Sequence, residues 1–217
     1  PVAGLEQVQE DEHSDLMGTC KRLPVVLTEG RGCTVKDAGG KEYLDLVATI
    51  NRLGGQAVGM SGEDGPSIVA EQLDPELGYV GRVTHINPEP ITALVGRGYV
   101  PVIASIGLGY DGHAYNINAD TVAAELAVAL GASKLLLLTD VPGVLDPRQQ
   151  LLHELTRAEA TAMIERGEVS GGMIPKLKAC LDALHGVEQV HVIDGRQPHS
   201  LLLELFTESG VGTMVTQ

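Results

Sequence analysis

The spacing of apolar and polar positions along this chain changes near Asn51. Upstream, short apolar runs are separated by turn residues. Leu23-Pro-Val-Val-Leu27 is apolar, Gly30 to Gly32 marks a turn, Cys33-Thr-Val-Lys-Asp37 alternates, and Ala38-Gly-Gly-Lys41 is a hairpin signal. Tyr43-Leu-Asp-Leu-Val-Ala48 then continues apolar. This pattern predicts two or three short strands over 23–47. Residues 1–20 carry Glu6, Glu10, Asp11, Glu12 and Asp15 with no period, and predict a mobile acidic arm.

Downstream of Asn51, short apolar runs alternate with helical periods. Gln56–Met60 predicts a strand ending in the turn Ser61–Gly65, and Glu89–Gly98 a short helix opened by Pro88. Tyr99–Ile106 predicts one buried strand. Val122, Leu126 and Leu130 recur every four residues, so Asp120–Leu130 predicts a helix that Gly131 stops. Lys134–Leu138 is apolar on both faces, as in a covered parallel sheet. Helices follow over 157–167 and 172–184, a strand over 189–193, a helix over 198–207 and a final strand over 211–215. Such alternation predicts an α/β fold with a largely parallel sheet sandwiched by helices.

Composition narrows the function. The chain has 217 residues, 43% of them apolar and only 3% aromatic, with no Trp, so its core is aliphatic. A net charge of −14 with no basic stripe argues against nucleic acid and anionic membrane as partners. Three cysteines, Cys20, Cys33 and Cys180, form no CxxC pair and suggest reduced thiols in a cytoplasmic protein. No apolar run reaches the length of a membrane span.

Several residue groups could carry chemistry. In Asn116-Ile-Asn-Ala-Asp120, Asp120 stands where a polar loop meets a helix; capping and catalysis both fit that place. Asn116 and Asn118 fit turns equally well. Lys176 follows the pair Gly171-Gly172 at the start of a helix, where a cation opposes the helix dipole. Thr139-Asp-Val-Pro-Gly143 ends an apolar strand, where ligands of parallel sheets collect. Gly107-Leu-Gly-Tyr-Asp-Gly112 matches GxGxxG but runs into a polar loop instead of a helix, so it reads as a turn. The seven histidines show no zinc-ligand spacing, and no GxxxxGK[ST] loop is present.

The order Asn116–Asp120, Thr139–Leu145 and Gly171-Gly-Met-Ile-Pro-Lys176 closely resembles the acetylglutamate kinases of the amino acid kinase family, over about 51–217. The resemblance implies an ATP-dependent phosphorylation of the γ-carboxylate of N-acetyl-L-glutamate, in arginine biosynthesis, with Mg²⁺. It implies that Lys176 stabilises the transferring phosphoryl group, that Asp120 orients lysine, and that Asn116 binds the acetylated amino acid. It places Asp140, Val141, Pro142, Gly143, Val144, Leu145, Ser170 and Gly171 around the nucleotide, and leaves room for a homo-oligomer.

The family's upstream elements are expected to be absent from this chain: a strand ending in a lysine and glycine loop, a second Gly-Gly turn, and a Gly-Arg-Val-Thr-type segment whose arginine grips the substrate. Gly54-Gly55 matches a later, structural stretch. Residues 21–50 instead resemble the N-terminus of class III aminotransferases, through Gly30-Arg-Gly-Cys-Thr-Val-Lys-Asp37 and Gly40-Lys-Glu-Tyr-Leu-Asp-Leu-Val-Ala48. The expected organisation is an acidic arm (1–20), an aminotransferase-like β-hairpin appendage (21–50) and an N-terminally truncated, amino-acid-kinase-like α/β domain (51–217). A non-catalytic nucleotide-binding remnant or assembly partner is the second reading, and an aminotransferase fragment the third.

Overall fold

The computed structural model describes residues 27–31, 34–37, 40, 42–207 and 210–217. The acidic arm expected over 1–20 and most of the run Leu23–Leu27 lie outside them. Two compact units divide the chain, Pro1–Asn118 and Ala119–Gln217.

In the first unit, β1 (Leu27–Arg31), β2 (Thr34–Asp37) and β3 (Glu42–Leu44) form an antiparallel sheet in that order. Gly30 and Arg31, expected in a turn, extend β1 and pair with Val35 and Thr34. Ladder hydrogen bonds there outweigh the weak strand preference of glycine. The apolar run beyond Tyr43 is not a strand throughout. It becomes helix α1 (Leu46–Arg52), because Asp45 caps it by accepting the Ala48 N–H at 2.9 Å.

The turn after α1 is pinned by one side chain. The Asn51 carboxamide accepts the Ala57 N–H at 2.6 Å and donates to the Ala57 carbonyl at 3.1 Å. Gly55 must lack a side chain here, since a Cβ would lie 2.6 Å from Ile50 Cγ2. Gly54-Gly55 is therefore a structural turn, as the sequence predicts.

β4 (Ala57–Ser61) pairs in parallel with β7 (Val100–Ala104). A four-stranded mixed sheet holds β5 (Ile68–Gln72), β6 (Gly81–Ile86), β8 (Ile106–Gly109) and β9 (Ala114–Asn116) in the order β6-β5-β8-β9. The single strand expected over Tyr99–Ile106 is thus two strands serving different sheets, and β5 and β6 were not predicted. The GxGxxG string lies in β8 and its hairpin to β9, with no helix after it. Helix α2 (Glu89–Val95) buries Ile91. Ile68, Ala70 and Ile117, with the ring of Tyr115, are also buried in this unit's interior.

The second unit contains α3 (Ala119–Ala129), β10 (Lys134–Thr139), β11 (Glu154–Thr156), α4 (Arg157–Glu165), α5 (Met173–Ala183), β12 (Gln189–Asp194), α6 (Ser200–Phe206) and β13 (Thr213–Thr216). Its sheet runs β10-β12-β13-β11. β10 and β12 are parallel, as are β11 and β13, but β12 and β13 are antiparallel, so the sheet is mixed. Val190 and Val192 of β12 enter a buried cluster with Ala124 and Ala127 of α3 and Leu177, Cys180 and Ala183 of α5. His191 points to the other face, where its Nδ1 lies 2.6 Å from Glu204 Oε1 on α6. Helices therefore cover both faces of this sheet.

Candidate active site

Parallel pairing brings Thr139 and Asp194 side by side at the carboxyl ends of β10 and β12, and the Gly195 N–H donates to the Thr139 carbonyl at 2.8 Å. A hairpin-like loop leaves β10 there. Asp146 shapes its tip by accepting the Arg148 and Gln150 N–H groups, each at 2.8 Å. Facing the loop is the start of α5, which no side chain caps. The Met173 and Ile174 N–H groups turn back to the Ser170 and Gly171 carbonyls, each at 3.3 Å, and Pro175 has no N–H, so the polar backbone that faces the cavity is that of the Ser170–Gly172 turn ahead of the helix.

Between them lies a cavity of about 320 Å³. From the β10 side it is lined by Thr139, Asp140, Val141, Gly143 and Leu145, with Gln149 from the loop tip. From the α5 side come Glu168, Val169, Ser170, Gly172, Met173 and Lys176. Of the predicted nucleotide residues, Asp140, Val141, Gly143, Leu145 and Ser170 thus line one space. Val144 does not, because its side chain is wholly buried in the core. Pro142 and Gly171 are exposed beside the cavity without lining it. Gln149 and Met173 were missed: Gln149 reaches the cavity only through the loop's reversal, and no local pattern signals it.

Lys176 and Asp120 meet. Lys176 Nζ donates to both carboxylate oxygens of Asp120, at 3.1 and 3.0 Å, with both side chains 20% exposed. Asp120 sits in the first turn of α3 and Lys176 in that of α5, so contact between these helices sets the pair. Lys178, two residues on, is exposed, as expected of a surface lysine. Asn116 closes β9 in the first unit with its side chain exposed.

The cavity's acidic groups are partly neutralised. Arg166 grips Glu168 at 2.6 and 3.0 Å, holding that carboxyl below its usual range. Outside the cavity lining, at the end of β12, Arg196 similarly holds Asp194 at about 2. With Glu168 tied to Arg166, Lys176 is the cation that faces the cavity itself. Among the described residues, no group of three or more His, Cys, Asp or Glu side chains could hold a metal ion. A divalent cation would therefore arrive with a ligand's own oxygens and water, which suits Mg²⁺.

The string Gly81-Arg82-Val83-Thr84 does occur, but inside β6, where Arg82 donates to Glu71 across the sheet at 2.7 Å. It is an exposed cross-strand pair downstream of Asn51, not the upstream arginine of the resemblance. A second cavity of about 630 Å³ lies against the α6 face, lined among others by Lys134, His191 and Glu204. There Glu204 already accepts the Val211 and Gly212 N–H groups at 2.6 and 3.0 Å.

The chain belongs to the amino acid kinase family, whose profile matches residues 4–194. That match begins well ahead of Asn51. Among similar proteins, the acetylglutamate kinase of Moorella thermoacetica is 49% identical over 191 residues, 81% of this chain and 64% of that protein. The acetylglutamate kinase of Granulibacter bethesdensis is 45% identical, over 90% of this chain and 74% of its own. The crystal structure of smu.665 from Streptococcus mutans UA159 superposes with a TM-score of 0.67 at 27% identity, covering 98% of this chain and 81% of that one. The chain spans less than two thirds of the Moorella relative's length.

Proposed function

We propose that the second unit binds MgATP in the cavity at the ends of β10 and α5, and that the chain transfers its γ-phosphoryl group to the side-chain carboxylate of N-acetyl-L-glutamate. The observation that carries this reading is the Asp120–Lys176 clasp beside the glycine loop. The relatives named acetylglutamate kinase supply the substrate. A carboxylate oxygen attacks phosphorus and the bond to the β-phosphate oxygen breaks, giving an acyl phosphate and ADP. The nucleophile is already ionised at neutral pH, so no general base is needed.

In this reading Lys176 neutralises charge on the transferring group and Asp120 fixes the ammonium in place. Ser170 and Gly172, in the turn ahead of α5, offer polar backbone to the phosphates. Val141, Leu145 and Val169 offer apolar surface to the base. Mg²⁺ supplies further charge neutralisation when bound. Asn116 contacts the acetylated amino acid. Residues 21–50 serve as a β appendage to the α/β part, within the stretch that the family profile also covers. A cytoplasmic setting fits the acidic composition and the free, buried Cys180.

Two measurements test the reading: calorimetric titration with a non-hydrolysable ATP analogue and Mg²⁺, and trapping of the acyl phosphate with hydroxylamine. Heat of binding together with hydroxamate that requires N-acetyl-L-glutamate is expected. A folded chain giving no heat at millimolar analogue would overturn it. Binding without hydroxamate would instead favour the non-catalytic nucleotide-binding reading.

A further inference from the structure

The loop that lines the nucleotide cavity is fastened at its base by a residue far away in sequence. Val144 and Leu152 face each other where the loop's two arms meet. The Leu152 N–H donates to the Val144 carbonyl at 2.9 Å, which is one half of an antiparallel hydrogen-bonded pair. The second half is not direct. The Val144 N–H donates to Thr213 Oγ1 at 2.8 Å, and the same hydroxyl donates to the Leu152 carbonyl at 2.6 Å.

A hydroxyl has one proton and accepting lone pairs, so it can replace a missing ladder bond while belonging to a third segment. Thr213 does so from β13, with none of its surface exposed. Gly143, which lines the cavity, lies against the same group. Its φ of 153° belongs to glycine, and a Cβ there would fall 2.6 Å from Thr213 Oγ1. The hydroxyl thus determines both the spacing of the loop's arms and the path of the backbone that meets the ligand.

We infer that Thr213 is a positioning residue of the nucleotide site, acting through Val144 and Leu152 to hold the Gly143–Leu145 backbone in its binding shape. The inference rests on the proposed nucleotide site. Removing the hydroxyl while keeping the volume leaves a buried donor and a buried acceptor without partners. The loop then relieves them by moving, and the ligand must re-order it on binding.

The test compares Thr213→Val, Thr213→Ser and Val215→Ala in the full chain. Val215 lies on the same strand and is buried, but its side chain does not bridge the loop. Calorimetry with the non-hydrolysable ATP analogue and Mg²⁺ should show Thr213→Val weakened about tenfold, the scale of one lost buried hydrogen bond. Thr213→Ser should stay within about twofold of wild type. Val215→Ala should lower the urea midpoint yet bind normally. If Thr213→Val does not fold, Thr213→Cys, of similar size but a poor hydrogen-bonder, replaces it with the same expectation.

Amide hydrogen exchange at Val144 is read in parallel and needs no nucleotide. It should quicken at least about tenfold in the Val variant and remain slow in the Ser variant. Wild-type affinity in a folded Thr213→Val chain, or unchanged Val144 exchange, would overturn the inference. A wild-type chain that takes up no nucleotide would instead sink the proposed function, and Val144 exchange would still decide whether the hydroxyl orders the loop.

Discussion

The Lys176 ammonium reaches both oxygens of the Asp120 carboxylate, at 3.1 and 3.0 Å, from a helix 56 residues further along the chain. The pair is partly shielded from water, so its strength lies between that of exposed and fully buried pairs. Asp120→Asn keeps the shape and removes the charge. Urea unfolding should show a loss of about 1–2 kcal/mol. Hydroxamate formation should fall by about 10² as the lysine loses its fixed position. Unchanged activity would reduce Asp120 to a helix-start carboxylate.

Lys176→Ala removes the cation itself. Turnover should drop by about 10²–10³, the range for loss of one preorganised electrostatic donor, while analogue affinity changes far less. Equal losses in both would mean that Lys176 binds the nucleotide without acting preferentially on the transition state.

Glu204 gives the second unit an acid-sensitive joint. Burial pushes its carboxyl up, but the Val211 amide, His191 and the Gly212 amide together outweigh this and hold it below the usual value of 4.5. The folded form therefore takes up a proton less readily than the unfolded chain. Its contribution to stability is complete above the unfolded value and is lost as pH falls through the lower, folded one. Urea midpoints measured from about pH 6 down to about pH 3 should decline in wild type and decline less steeply in Glu204→Gln. At neutral pH the same variant should be less stable by about 1–3 kcal/mol, since a charged acceptor of buried amides is lost. Parallel curves for the two proteins would contradict this account.

Cys180 is wholly buried, and burial raises its thiol to about 12. The thiolate is the reactive form, so iodoacetamide at neutral pH should leave Cys180 unmodified in the native chain. Peptide mass spectrometry should find it alkylated once urea unfolds the protein. Rapid native labelling would show that the α5 core opens readily.

Elements with strong local signals were legible in the sequence. The helix with Val122 and Leu126 on one face, the apolar strand Lys134–Leu138 and the helix holding Lys176 all stand where their periods place them. What escaped was decided by partners distant along the chain. β5 and β6 hold short mixed runs that become strands only by pairing with each other and with β8. Ser105 divides one apolar stretch into two strands because its halves pair with different sheets. Asp45 turned an expected strand into α1, although its capping place could have been read locally. In the site, Asp120 and Lys176 were legible as residue types, but their contact needed two helices side by side. Gln149 and the Thr213 hydroxyl gave no local signal, since loop reversal and strand order bring them in.

The sheet order β10-β12-β13-β11 has a consequence for how the chain is made. β13, the last strand among the described residues, does not add to an edge. It takes an interior place and joins β12 to β11, a strand that leaves the ribosome long before it. During synthesis β10 and β12 can pair early, but β11 has no neighbour until Thr213–Thr216 emerges. A nonsense mutation a few codons upstream of this strand would therefore do more than shorten the chain. It would remove an inner stave of the sheet, leave β11 stranded, and expose a nascent edge to the cell's chaperones and proteases.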